Sequence, residues 1–139
     1  MLTVVLPRWV SSGMAQACMI DGNHLALWGR LWCEPMTVAT DGLLLALCAA
    51  LALRQRGAGR AFFALTAATF GLGGLRHLVY AEWHQLVPPL SQSSNTTSSL
   101  ALTALVFALP APRIARTLAV ILAAGMIIGH LLLDHILLS

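Results

Sequence analysis

The stretch TLAVILAAGMIIGHLLLDHILL, residues 117–138, is a helix-length apolar run whose charges are few and placed late. About 20 apolar residues in a helix match the hydrocarbon thickness of a bilayer. A chain holding several such runs has little choice of fold. Two more are present, PMTVATDGLLLALCAALAL at 35–53 and AFFALTAATFGLGGLRHLVYAEW at 61–83. Hydrophobic residues make up 58% of the 139 and charged residues only 9%, and the mean hydropathy of +0.81 lies outside the soluble range.

A fourth run, Leu100 to Leu109, has only ten residues and needs the Ser/Thr from about Thr96 onward to cross. The expected spans are therefore about 35–53, 61–83, 97–110 and 117–138. RQRGAGR at 54–60 and PAPRIAR at 110–116 read as turns, and HQLVPPLSQSSNTTSS at 84–99 as a loop, from its Pro-Pro and its Ser/Thr/Asn cluster. No polar alternation of the outer-membrane kind occurs, so no strands are expected. The expected architecture is an all-α integral membrane four-helix bundle over 35–139. Residues 1–34 precede it as an interfacial or re-entrant segment on the outer side. Their start faintly resembles a signal peptide, but it lacks a basic n-region and Pro7-Arg8 interrupts its apolar run.

The formal charge of +3 comes from arginine alone, in short connections rather than a basic stripe. Nucleic acid is not an expected partner; a lipid bilayer is. Arg54, Arg56 and Arg60 in one connection and Arg113 and Arg116 in another fall on one side of a four-span topology. The positive-inside rule makes that side cytoplasmic and puts both termini on the outer, periplasmic side. Trp9, Trp28, Trp32, Trp83 and Tyr80 then gather at the outer interface. Cys48 reads as a small apolar packer within a span, and Cys18 and Cys33 are a candidate disulfide in an oxidising compartment.

That topology brings ionisable groups from distant segments to one level. At ~1.5 Å per residue, Asp41 lies about 10 Å inside Glu34, His77 about 9 Å inside Trp83 and His130 about 13 Å inside the C-terminus. An ionisable side chain at mid-membrane costs about 2.5 to 3.5 kcal/mol on insertion scales, so such groups are functional candidates. His130 and Asp134, spaced i, i+4, share a helix face, whereas His135 points elsewhere. His77, His130, Asp134 and Glu34 are the candidate metal ligands, with Glu34 at the entrance. The N/O donor set suits Zn²⁺ with an open water position. Asp41 is the candidate general base. The bland reading is that these groups hydrogen-bond one another and fasten the helices together. A haem reading lacks CxxCH. GLGG at 71–74 and the Gly125/Gly129 pair allow close helix approach, within the bundle or to other membrane subunits.

The stretch WCEPMTVATDGLLLALCAALALRQR, followed by a segment ending GGLRH, resembles an uncharacterised family of small bacterial membrane proteins with an E-P…T-D signature. That family is distantly similar to the alkaline ceramidase-like (CREST) membrane hydrolases. The resemblance covers about residues 32–83 and implies a bacterial inner-membrane location, zinc bound through histidines and a hydrolase-like activity. Trp32, Cys33 and Glu34 match the acidic entry motif, and His77 a zinc histidine. Gly73 stands where the superfamily has serine, and His130 with Asp134 stands where it has H-x-x-x-H. Seven spans are usual there and four are available here.

Two functions follow. One is a membrane protein with an outward-facing His/Asp site acting as a zinc-dependent hydrolase on lipid amide or related bonds. The alternative is a non-catalytic accessory subunit of a larger membrane complex. A transporter is disfavoured by the lack of an internal repeat.

Overall fold

The computed structural model describes the backbone of residues 24–27, 30–80 and 83–138, and side chains over 34–80, at 83 and over 85–132. Helix α1 spans Pro35–Arg54, α2 Gly57–Val79, α3 Val87–Ala108 and α4 Arg113–Leu138. The all-α four-helix architecture is present. Three helices are long and apolar enough to cross a membrane, over Pro35–Arg54, Gly57–Val79 and Arg113–Leu132. Pro35 opens α1 at its first turn, where a missing N–H is harmless.

Neighbours in sequence are neighbours in space: α1 packs on α2, α2 on α3 and α3 on α4. The contacts use small residues, because helices in an apolar setting associate by close van der Waals fit rather than by burying large side chains. Cys48 and Ala52 are buried on α1, Ala67 and Gly74 on α2, Ser99 and Ala101 on α3 and Ala123 on α4. Cys48 is thus the packing residue expected of it, with a free thiol. Leu43, Leu47, Leu53, Ile121, Leu122 and Ile128 turn outward.

Two expectations are corrected. The supposed loop at 84–99 is a short 3₁₀ turn, His84–Leu86, followed by the first half of α3. Pro88 and Pro89 sit in the first turn, where proline fits. The hydroxyls bond back one turn, from Thr97 Oγ1 to the Ser93 carbonyl, Ser99 Oγ to Asn95 and Thr103 Oγ1 to Ser99. A polar sequence is helical here because its side chains feed its own backbone and α2. Thr69 Oγ1 donates to Thr97 Oγ1 at 3.0 Å, and Ser94 Oγ donates to the Thr69 carbonyl at 3.2 Å. At 22 residues α3 is about 33 Å long and runs the full length of the bundle, rather than starting near residue 97.

The second correction concerns strands. His24–Leu27 (β1) pairs antiparallel with Arg30–Cys33 (β2), with His24 opposite Cys33. Two residues including Gly29 separate the strands, the commonest hairpin connection length. β2 contacts α2 as well as leading into α1. Residues 1–23 lie outside the described region, and with them Trp9 and the Cys18 half of the candidate disulfide.

Gly71 and Gly74 distinguish loose from tight contact. A Cβ on Gly71 would meet the Leu45 methyls at 3.6 and 3.7 Å, whereas one on Gly74 would lie 3.2 Å from Asp41 Cβ. Gly71→Ala should therefore leave unfolding in detergent within about 1 kcal/mol of wild type, aided by alanine's helix propensity. Gly74→Val should destabilise by about 1–3 kcal/mol through overpacking.

Candidate polar site between the first two helices

Glu34 is the junction between β2 and α1. Its φ of 51° and ψ of 54° place it in the left-handed region, the one non-glycine residue with positive φ among the described residues. Such a conformation costs on the order of 1 kcal/mol and persists where its surroundings impose it. Pro35 follows immediately and disfavours right-handed helical dihedrals at the residue before it. The turn aims the carboxylate across to α2, where Glu34 Oε2 lies 2.9 Å from His77 Nδ1.

His77 uses both ring nitrogens. Arg76 Nη2 lies 3.1 Å from His77 Nε2, and guanidinium has donors but no acceptor. Nε2 therefore accepts, and the ring hydrogen resides on Nδ1, where it is donated to Glu34. Arg76 Nη1 in turn donates to Ser91 Oγ on α3 at 3.3 Å. One chain of hydrogen bonds thus links α3, α2 and the entry to α1. The His77 side chain is 15% exposed and that of Glu34 47%, so the imidazole is largely enclosed while the carboxylate meets the surroundings.

Asp41 stands seven residues after Glu34, two turns along the same face of α1. It packs on the glycine pair of α2: a Cβ on Gly73 would lie 3.1 Å from Asp41 Oδ2. Gly73 precedes His77 by four residues on one helix face, so Asp41 sits about one turn, roughly 5 Å, deeper than the imidazole. Its half-buried carboxylate makes no hydrogen bond or ion pair to another described residue.

Glu34, His77 and Asp41 therefore gather between α1 and α2. His130 is half-buried on α4, in the stripe that continues Ala119 and Ala123 and faces α3. Ser99, Leu102, Thr103 and Val106 of α3 lie opposite Ala119, Leu122, Ala123 and Met126 of α4. That antiparallel register puts His130 level with about Asn95. The α2–α3 register, with Arg76 opposite Ser91, puts His77 about six residues, or roughly 9 Å, nearer the His77 end of the bundle. Helix α3 thus intervenes between the two imidazoles. Asp134 belongs to α4, but its side chain lies outside those described, as do Glu82 and the side chain of His84. Among the described residues no three His, Cys, Asp or Glu come together as a metal site.

Arg76 and Ser91 are the site members that sequence reasoning overlooked. Arg76 is the one arginine inside an expected span, next to a candidate histidine, and that was the available signal. Ser91 carried none, because its segment reads as loop.

Fold and site together define a helical membrane protein with an acid–imidazole–guanidinium chain between its helices. No family model, curated protein or solved structure matches the chain.

The hydrogen-bond directions are testable by ¹⁵N NMR of histidine-labelled protein. His77 should show the Nδ1–H form in wild type and lose that preference in Glu34→Ala. An Nε2–H form in wild type would contradict the arrangement.

Proposed function

We propose that this is a multi-pass membrane protein with an outward-facing acid–base site, acting by hydrolase-like chemistry on lipid amide or related bonds. The observation carrying the reading is the Glu34–His77 pair at 2.9 Å. A carboxylate holding Nδ1–H fixes the tautomer whose Nε2 lone pair accepts protons, the role of an oriented general base. Arg76 is the donor beside that lone pair. A substrate carbonyl that drew the guanidinium away from Nε2 would expose the base and gain a donor for the charge developing on its oxygen.

In the reaction, His77 Nε2 takes a proton from water as the water oxygen bonds to the carbonyl carbon. The carbon–nitrogen bond then breaks, and the proton passes to the departing amine. Glu34 orients, and Arg76 steadies the oxyanion. Asp41, unpartnered one turn deeper, is the other candidate base. The substrate class rests on the resemblance to the ceramidase-like hydrolases, and the outward orientation on the five arginines at the opposite end.

Zinc belongs to that resemblance, but the described donor set does not fit it. Both His77 nitrogens are engaged, and His130 lies across α3. No step above is assigned to a metal.

Purified protein should release fatty acid from a fluorescent N-acyl sphingoid lipid. His77→Ala should lower the rate at least 100-fold, the usual scale for a general base, and Asp41→Asn less. Equal activity in wild type and His77→Ala would refute the role. Zinc content measured by mass spectrometry on the same preparations tests the cofactor separately. Labelling of Arg56→Cys by an impermeant thiol reagent from outside should fail if the orientation is right.

The accessory-subunit reading is favoured by Asn95. Its side chain is exposed on α3 about 12 Å from the helix start and makes no hydrogen bond to described residues. An uncovered amide at that depth is a good interhelical contact. Under this reading a defined partner co-purifies, Asn95→Leu releases it, and the wild-type protein hydrolyses no lipid.

A further inference from the structure

At the end of the bundle opposite His77, the α1–α2 turn and the end of α3 enclose a cleft of about 450 Å³. Gln55, Arg56, Phe62 and Phe63 wall it on one side and Leu105 and Phe107 on the other. Arg116 of α4 does not line the cleft but stacks on a ring that does, its guanidinium carbon 5.6 Å from the centre of the Phe107 ring. Its Nε is buried and has no hydrogen-bond partner among the described residues. Arg60 lies one turn into α2, with its Nε on the Gln55 carbonyl.

Among the described residues the charge here is uncompensated. Arg54, Arg56, Arg60, Arg113 and Arg116 belong to this end, and none of the five acidic residues lies between 42 and 81 or between 83 and 133. The helix dipoles make the imbalance worse. Arg60 and Arg116 stand in the first turns of α2 and α4, and Arg113 opens α4. Those are positive helix ends, where a cation is disfavoured and an anion favoured. The first turn of α2 also has no side-chain cap, and its Ala58 and Gly59 line the cleft. A site with one guanidinium on its wall and others around it, an uncapped helix start and three aromatic rings, set at the mouth of apolar spans, is complementary to an anionic headgroup on an apolar tail.

We propose that this cleft binds the phosphate of an anionic glycerophospholipid. Arg56 on the cleft wall meets the phosphate, Arg116 beside Phe107 adds positive charge at the rim, and Phe62, Phe63 and Phe107 lie against the glycerol and first acyl methylenes. Basic pockets between membrane helices recognise anionic lipids through this chemistry. The site is independent of the His77 chain at the other end.

Native mass spectrometry of the full-length protein in mild detergent, titrated with short-chain phosphatidylglycerol or phosphatidylcholine, tests the proposal. Phosphatidylglycerol should bind about tenfold tighter. Arg56→Gln should weaken it about fivefold, the factor for one basic residue near a lipid surface, Arg116→Gln should weaken it less, and both should leave phosphatidylcholine unchanged. Arg56→Lys and Arg116→Lys, which keep the charge, should lose less. Equal binding of the two lipids by wild type overturns the proposal, whether or not the glutamine variants fold. So do glutamine variants of wild-type melting temperature with undiminished phosphatidylglycerol binding. Displacement of phosphatidylglycerol by equimolar inorganic phosphate would assign the cleft to free phosphate and likewise overturn it.

Discussion

In an apolar surrounding a polar group has no water to fall back on, and the contact of α2 with α3 follows from where polar groups find partners. Helix α3 shows this most clearly. Its first half is too polar to stand alone in lipid, and the other three helices are not. Its hydroxyls resolve the conflict by bonding one turn back and across to α2, so that Thr69, Thr97 and Ser94 form a small ladder at the α2–α3 contact. Ser99, at 2% exposure, is the most deeply buried side chain in the described structure, and it too is satisfied. The helix that looks least suited to a membrane is therefore a polar seam on which α2 and α4 both rest.

The same rule orders the contact between α1 and α2. Gly73 and Gly74 let the backbone of α2 approach Asp41 to within van der Waals distance, and that closeness carries Glu34 within reach of His77 one turn further out. Larger residues at the glycine pair would separate the helices and with them the carboxylate from the imidazole. Packing and site are one arrangement: small residues set the spacing, and the spacing sets the hydrogen bond.

How much of this was legible in the sequence depended on whether a residue's surroundings lie on its own helix. Apolar runs of span length announced α1, α2 and α4 to within a few residues, because bilayer thickness and helix rise fix that length. Counting residues inward put Asp41 and His77 near one level with Glu34 at the entrance, whereas Glu34 lies against His77 and Asp41 a turn deeper. The start of α3 was hidden because Ser, Thr, Asn and Pro favour turns in water, and only the α2 surface shows that these hydroxyls have a helical use. The relation of His130 to His77 was hidden for a different reason. Depth along a helix can be counted, but which neighbour a helix chooses cannot, and here α3 stands between them. The hairpin before α1 was masked by the absence of a long alternating pattern, since each strand has only four residues.

Helix polarity gives the molecule its two unlike ends. Where α1 begins and α2 finishes, Glu34 meets a positive helix terminus and Arg76 a negative one, so each carries the sign its terminus favours. The hydrogen-bonded chain is reinforced by the backbone on both sides and is complete within the protein. At the other end Arg54 closes α1 favourably, but Arg60, Arg113 and Arg116 stand at helix starts with no acid nearby among the described residues. Antiparallel helices with these loops make one terminus electrostatically closed and the other open to an external anion. A chain that had only to remain folded could have placed acids among those arginines; leaving them out favours a fixed orientation in the bilayer, because an unbalanced positive end resists crossing it. The acid–imidazole chain and the arginine cleft thus follow from one asymmetry, the confinement of the described carboxylates to one end of the helices.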